Sequence, residues 1–182
     1  MASVDYKAIL EEIRRGRAAL EVLESVIPGY RGYKEREMRR ETDRLVRNIL
    51  YERLIRAKDA IRIAYFSIVE RGLSNLYEGM NRLNAVMDRV SERVNHAEYG
   101  YAGFFDAIKV KEEALDRMLS FDANLLKVVQ EVEDMGQKLM AAGSTEPATS
   151  IKERLDALMG SLRELETIFN ERKNAILGLK GN

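Results

Sequence analysis

The chain has 182 residues, no cysteine, and 30 basic residues balanced by 30 acidic ones, so its formal net charge is zero. The lack of cysteine excludes disulfides, thiolate nucleophiles, iron–sulfur clusters and cysteine zinc sites, and the zero charge excludes a whole-molecule attraction to nucleic acid or anionic bilayers. With only two prolines and 33% charged residues, the composition favours long helices in one sizeable domain or two small ones.

The first predicted helix covers residues 5–27. Its apolar residues recur at helical spacing with charges between them, and it ends before Pro28 and Gly29. The N-terminal residues lack the basic start and apolar run of a signal peptide. The longest apolar-leaning run, 63–69, is far shorter than the ~20 residues that cross a membrane. We therefore expect a soluble, cytoplasmic protein.

A stretch rich in glycine and tyrosine, IPGYRGYKERE at residues 27–37, follows this helix. A phosphate-binding loop normally follows a strand and continues into Gly-Lys-Ser/Thr, and neither feature is present. Glycine just past a helix end is better explained as the residue that closes the last turn. A similar corner, EYGYAGFF, occupies residues 98–105. We predict that these corners form a contact surface through their tyrosines Tyr30, Tyr33, Tyr99 and Tyr101.

Between the two corners, residues 34–96 predict one very long central helix. Eight apolar residues from Val69 to Val94 alternate spacings of four and three, which is the repeat of coiled-coil packing. A second apolar series from Leu50 to Ile68 is offset from the first by one position, near Gly72. A break at Gly72 is therefore the alternative. It would bring both aromatic corners to the same end, where they could form a shared pocket beside His96.

Two further helices are predicted at 106–140 and 151–179, separated by a loop at 141–150. The loop contains Gly143 and Pro147, and Ser150 with Glu153 has the spacing of a capping box at the start of the last helix. Arg172 interrupts the apolar series of that last helix, which we interpret as thinner packing toward the C-terminus.

Together these helices predict a single all-α domain, an elongated antiparallel helical bundle with coiled-coil-like heptad packing. Helix 5–27 would fold back on the first part of the long helix and form a projecting N-terminal hairpin. Because a two-helix hairpin rarely buries both of its apolar stripes, we expect a homo-oligomer, most simply a dimer, or another helical protein to cover it.

A basic face on the long helix is the candidate site for anions. Four arginines follow one another along it and could bind phosphates of nucleic acid or lipid. The competing interpretation is a solvated face, because Glu35–Arg39, Asp43–Arg47 and Glu52–Arg56 are i,i+4 pairs of opposite charge. An acidic excess in residues 101–150 could instead attract the basic segment of a second copy. The predicted partner or anion contacts are Arg36, Arg40, Arg44 and Arg47.

No catalytic residue, metal ligand, cofactor or small-molecule substrate is predicted. His96 is the only histidine, Glu92 has the wrong spacing for a bundle di-iron motif, and no nucleophile elbow accompanies it. We interpret His96 as a polar residue in the last turn of a helix. The sequence thus predicts a non-enzymatic interaction or scaffold protein. The alternative is a peripheral binder of anionic membrane or nucleic acid.

Overall fold

The computed structural model of the protein describes residues 20–26, 36–96 and 112–178. Within these ranges the chain forms helix α1 at 20–26, α2 at Arg36–Glu70, a short 3-10 segment at Ser74–Leu76, α3 at Tyr77–Asn95, α4 at Glu112–Thr145 and α5 at Ala148–Gly178. The described ranges contain no strand, which confirms the all-α prediction. No helix among them is both long and apolar enough to cross a membrane.

The chain divides into two compact units. Unit 1 comprises Met1–Val46, Glu98–Leu125 and Ile168–Asn182, and unit 2 comprises Arg47–Ala97 and Leu126–Thr167. The described core of unit 1 includes Leu23, Val46, Met118, Leu125 and Phe169. In unit 2 the apolar series predicted on α2, from Leu50 to Ile68, is buried throughout. The apolar series that follows Gly72 is buried as well, at Leu76 in the 3-10 segment and, on α3, at Met80, Leu83, Met87, Val90 and Val94.

The prediction of one unbroken helix over residues 34–96 is wrong, and the alternative break near Gly72 is confirmed. Helix α2 ends at Glu70, and Gly72 adopts a φ of +66°. Its N–H donates to the carbonyl of Val69, and the N–H of Leu73 donates to the carbonyl of Ile68. A left-handed residue with these two bonds ends a helix, and glycine takes that conformation without a Cβ penalty.

Within unit 2, helices α2 and α4 run in the same direction at very close range. A Cβ added at Gly136 would lie 3.2 Å from the carbonyl oxygen of Ala57, and one added at Gly143 would lie 3.1 Å from that of Ala64. The two contacts advance by seven residues on both helices, so this pair does not follow the predicted antiparallel arrangement. Small residues at these positions allow the two backbones to touch.

Helices α3 and α5 also run in the same direction within unit 2. A Cβ added at Gly79 would lie 3.1 Å from Cδ1 of Leu155, and further along both helices Arg89 pairs with Glu166. Residues before and after the Gly72 turn also contact each other, since Lys58 on α2 pairs with Asp88 on α3 at 2.7 Å.

The prediction that packing thins at Arg172 is wrong. The Arg172 side chain is only 2% exposed, and its Nε donates to Oδ1 of Asp122 at 2.6 Å. Asp122 is fully buried. Both residues belong to unit 1. The core therefore continues through Arg172 because a buried carboxylate on α4 compensates its charge.

The predicted loop at 141–150 is much shorter in the structure. Helix α4 continues to Thr145 and α5 begins at Ala148, so only Glu146 and Pro147 lie between them. The N–H of Ile151 donates to the carbonyl of Pro147, which places Ser150 inside the first turn instead of at the predicted cap position. Most of the predicted first helix, residues 5–27, lies outside the described residues, and so does its predicted hairpin.

Candidate functional site

An exposed apolar stripe on helix α2 is the most distinctive surface feature of unit 2. Phe66 is 64% exposed, and Ile63 and Val69, three residues away on either side, are 49% and 46% exposed. Val22 on α1 is the other large apolar side chain that is this exposed in the described part of the chain. Single exposed apolar residues are ordinary, but three on one helical face are not.

The stripe lies on the face of α2 opposite its buried residues. A step of three residues along an α-helix falls about 60° short of a full turn. Ile63, Phe66 and Val69 therefore lie within about a third of the helix circumference. The buried Ala64 and Ile68 lie on the other side. Val69 was predicted as the first residue of the α3 series. That series begins instead at Leu76 because the turn at Gly72 separates α2 from α3.

Two charged residues border the stripe. Arg62 precedes Phe66 by four residues and Glu70 follows it by four, and both are exposed. Arg62 also contacts Asp59 of its own helix at 3.4 Å, in a pair whose two side chains are each more than half exposed. Such exposed pairs are weak. The candidate surface is therefore an apolar centre with one charge of each sign at its ends.

The predicted basic face is only partly described, and one of its members is buried. Arg44 is exposed and lies in unit 1, whereas Arg47 is 7% exposed and lies in unit 2. Arg36 and Arg40 lie on α2, but their side chains are outside the described residues. The burial of Arg47 is at odds with its predicted role as an anion contact. Anion binding by this face stays a prediction.

The predicted corner surface lies outside the described residues, because none of Tyr30, Tyr33, Tyr99 and Tyr101 is described. His96 directly follows α3, and its Nε2 lies 3.0 Å from Oε2 of Glu92 in an exposed i,i+4 pair. This agrees with its interpretation as a polar residue at a helix end. Among the described residues, no three His, Cys, Asp or Glu side chains form a group that could hold a metal ion.

Part of the charge expected to attract a second copy is paired within the chain. Arg56 Nε donates to Oε1 of Glu133 at 2.6 Å, and Arg53 Nη1 donates to Oε2 at 3.2 Å. Burial raises the pKa of Glu133, but the hydrogen bonds from Arg56 and Arg53 outweigh it and hold the pKa below the ordinary 4.5. In the structure Arg56 thus bonds to α4, whereas the sequence paired it with Glu52.

A second cluster of this kind joins α3 to α5. Arg89 donates to both carboxylate oxygens of Glu166, at 3.0 and 2.9 Å, and Arg93 Nη1 donates to Oε1 at 3.2 Å. The hydrogen bond from Arg89 is the main cause that lowers the pKa of Glu166 below 4.5, against a smaller rise from burial. A two-pronged arginine contact is geometrically specific, so this cluster helps to fix the register of α3 on α5.

We expect the Glu166 cluster to make stability fall in acid. A carboxyl whose folded pKa is depressed stabilises the fold above its unfolded value, near 4.5, and loses that contribution as pH falls through the lower folded value. Glu166→Gln should therefore reduce the loss of stability between pH 6 and pH 3, measured by urea unfolding at each pH. Glu78→Gln, in the exposed pair with Arg82, is the control. An equal reduction in both variants would contradict the prediction.

No family model matches the chain, and no curated protein or solved structure matches it. The class that the structure defines is an all-α protein with bundle-like packing between its helices.

Proposed function

We propose that this protein is a non-enzymatic, cytoplasmic interaction or scaffold module that associates with a second copy or with another helical protein through exposed helical faces. The observation that carries the proposal is the stripe of Ile63, Phe66 and Val69, each close to half exposed or more. Covering a phenylalanine side chain contributes about 1.5–3 kcal/mol. A partner helix laid on α2 would gain that contribution and remove the stripe from water.

The architecture proposed with this function is an elongated helical bundle with coiled-coil-like packing. Buried residues on α5 support it, because Ile151, Leu155, Leu158, Leu162 and Leu165 alternate spacings of four and three. This spacing is the one that allows side chains to interdigitate between neighbouring helices.

Replacing Phe66 with glutamine should weaken association by at least about tenfold, because each copy loses one large apolar contact. Sedimentation velocity across a concentration series measures this change, and its frictional ratio reports elongation in the same runs. Val22→Gln is the matched control, since Val22 is as exposed as Val69 but lies on α1. Circular dichroism would check that each variant remains helical.

Association that is equally strong in Phe66→Gln would contradict the proposed role of the stripe. If the wild-type chain stays monomeric, self-association is excluded and the proposal then requires a different helical protein. A photo-crosslinking side chain at residue 66 tests that case, with the same probe at residue 22 as the control. Failure to crosslink to any helical protein would remove the proposal altogether.

Binding to an anionic membrane or to nucleic acid has less support. Among the four arginines of the predicted basic face, the described side chains are those of Arg44, which is exposed, and Arg47, which is buried. We therefore base the proposed function on the apolar stripe and not on this face.

A further inference from the structure

We propose that the partner of the stripe is a second copy of this chain, which docks α2 against α2 in opposite directions about a two-fold axis at Phe66. This inference rests on the proposed function and specifies its partner and geometry. It follows from the order of residues on either side of Phe66, combined with their exposure.

The stripe is symmetric about Phe66 in its apolar residues. Ile63 lies three residues before it and Val69 lies three residues after it, and all three are exposed. A two-fold axis at Phe66 places each residue opposite the one at the same distance on the other side. Ile63 of one copy therefore meets Val69 of the other, and the two phenylalanines meet each other. Every exposed apolar residue of the stripe is covered by an apolar residue.

The charges on the same face have opposite signs on the two sides of Phe66. A two-fold contact needs this arrangement, because it brings opposite ends of the two stripes together. Arg62 lies four residues before Phe66 and Glu70 lies four residues after it, both exposed. About the same axis, Arg62 of each copy faces Glu70 of the other, which forms two pairs of opposite charge.

Other arrangements of the same two faces are less favourable. Two α2 helices docked in the same direction would place Arg62 against Arg62 and Glu70 against Glu70, and like charges across an interface oppose binding. Among the described residues of each chain, Arg62 is engaged by the weak exposed contact with Asp59 at 3.4 Å. The opposite-direction dimer is thus the arrangement in which apolar contacts and charges agree.

The expected dimer is weak. The paired residues 62–70 of each copy extend over about two and a half helical turns. Interfaces of such limited extent belong to the transient class, and a dissociation constant on the order of micromolar is expected. The measurement should therefore cover roughly 1–500 µM protein to include this range.

The test is a charge exchange in the full-length chain, followed by sedimentation equilibrium. Arg62→Glu alone and Glu70→Arg alone each turn both pairs repulsive, so each variant should dimerise about tenfold more weakly than wild type. An equimolar mixture of the two variants restores both pairs in a heterodimer, and the double variant restores them in a homodimer. Both should associate within about threefold of wild type. The control is the same exchange at Arg82 and Glu78, which should change nothing.

Each other outcome overturns the inference, and the outcomes show whether the proposed role of the stripe fails with it. A dimer that Phe66→Gln disrupts but that neither charge reversal weakens would overturn the two-fold geometry and leave the stripe as the contact surface. A chain that remains monomeric at every concentration would overturn the second copy as the partner. A dimer insensitive to both kinds of change would overturn the proposed role of the stripe as well.

Discussion

Asp122→Ala should lower the free energy of unfolding by about 3–5 kcal/mol, which is the usual cost of breaking a buried ion pair by removing one of its members. Asp122 is fully buried, and it accepts the Nε hydrogen bond of the equally buried Arg172 at 2.6 Å. Removing the carboxylate takes away this hydrogen bond and the opposite charge beside the buried guanidinium. Chemical unfolding followed by circular dichroism measures the loss. The exposed pair of Lys152 and Asp156 supplies the control, because Asp156→Ala should cost less than about 1 kcal/mol.

The double replacement of both partners separates charge compensation from packing. Asp122→Leu together with Arg172→Met removes both charges and keeps the core filled, and such exchanges are often neutral or stabilising by 1–4 kcal/mol. The double variant should therefore be far more stable than Asp122→Ala. If the double variant is as unstable as the single one, the stability of unit 1 depends on the pair itself and our physical reason is wrong.

The buried ion pair shows why apolar periodicity predicted the helices better than it predicted their cores. On α5 the apolar residues Leu158, Leu165 and Phe169 occur at the predicted spacing and are buried. The next position in that series is Arg172, and it is buried too. From the sequence, the charge of Arg172 predicted the end of the core. The compensating carboxylate lies 50 residues away in the chain, so no local pattern reveals it.

Helix α4 shows the same limitation with small residues. Phe121 and Met135 belong to a series of apolar residues spaced by three and four along α4, but both are only half-buried. The buried positions next to them are Asp122 and Gly136. Glycine carries no apolar side chain and therefore does not register in a hydrophobic pattern. It is buried here because the α2 backbone passes directly over it.

The candidate surface was missed for a related reason. Continuing one helix through Gly72 assigned Val69 to the buried series of α3, which concealed its place in the exposed stripe with Ile63 and Phe66. The signal for the break was present, since a glycine lies where two apolar series change register. The uninterrupted spacing of four and three from Val69 to Val94 nevertheless favours a continuous helix. By contrast, the many basic residues of α2 predicted a contact surface, although Arg47 is buried and Arg53 and Arg56 bond to Glu133.

The glycines of α4 control how closely α2 and α4 approach, and enlarging one of them should separate the helices. Gly143→Leu should destabilise the protein by about 3 kcal/mol, at the upper end of typical overpacking costs. Even the first added carbon would lie 3.1 Å from the Ala64 carbonyl oxygen and 3.3 Å from its Cα. Those atoms belong to a backbone held by helical hydrogen bonds, so they cannot rotate away as a side chain would.

Glycine-to-alanine replacements test the same cause with a matched pair. Gly160 lies inside α5 with nothing within 4 Å of an added Cβ, so Gly160→Ala should stabilise the protein by up to about 1 kcal/mol through helix propensity. Gly136→Ala, inside α4, gains the same propensity but must displace the Ala57 backbone, whose carbonyl oxygen would lie 3.2 Å from the added Cβ, and we expect it to be less stable than Gly160→Ala. Thermal and urea unfolding of both variants measure the difference. Equal stabilisation would contradict the prediction, because it would show that the α2 backbone moves aside at little cost.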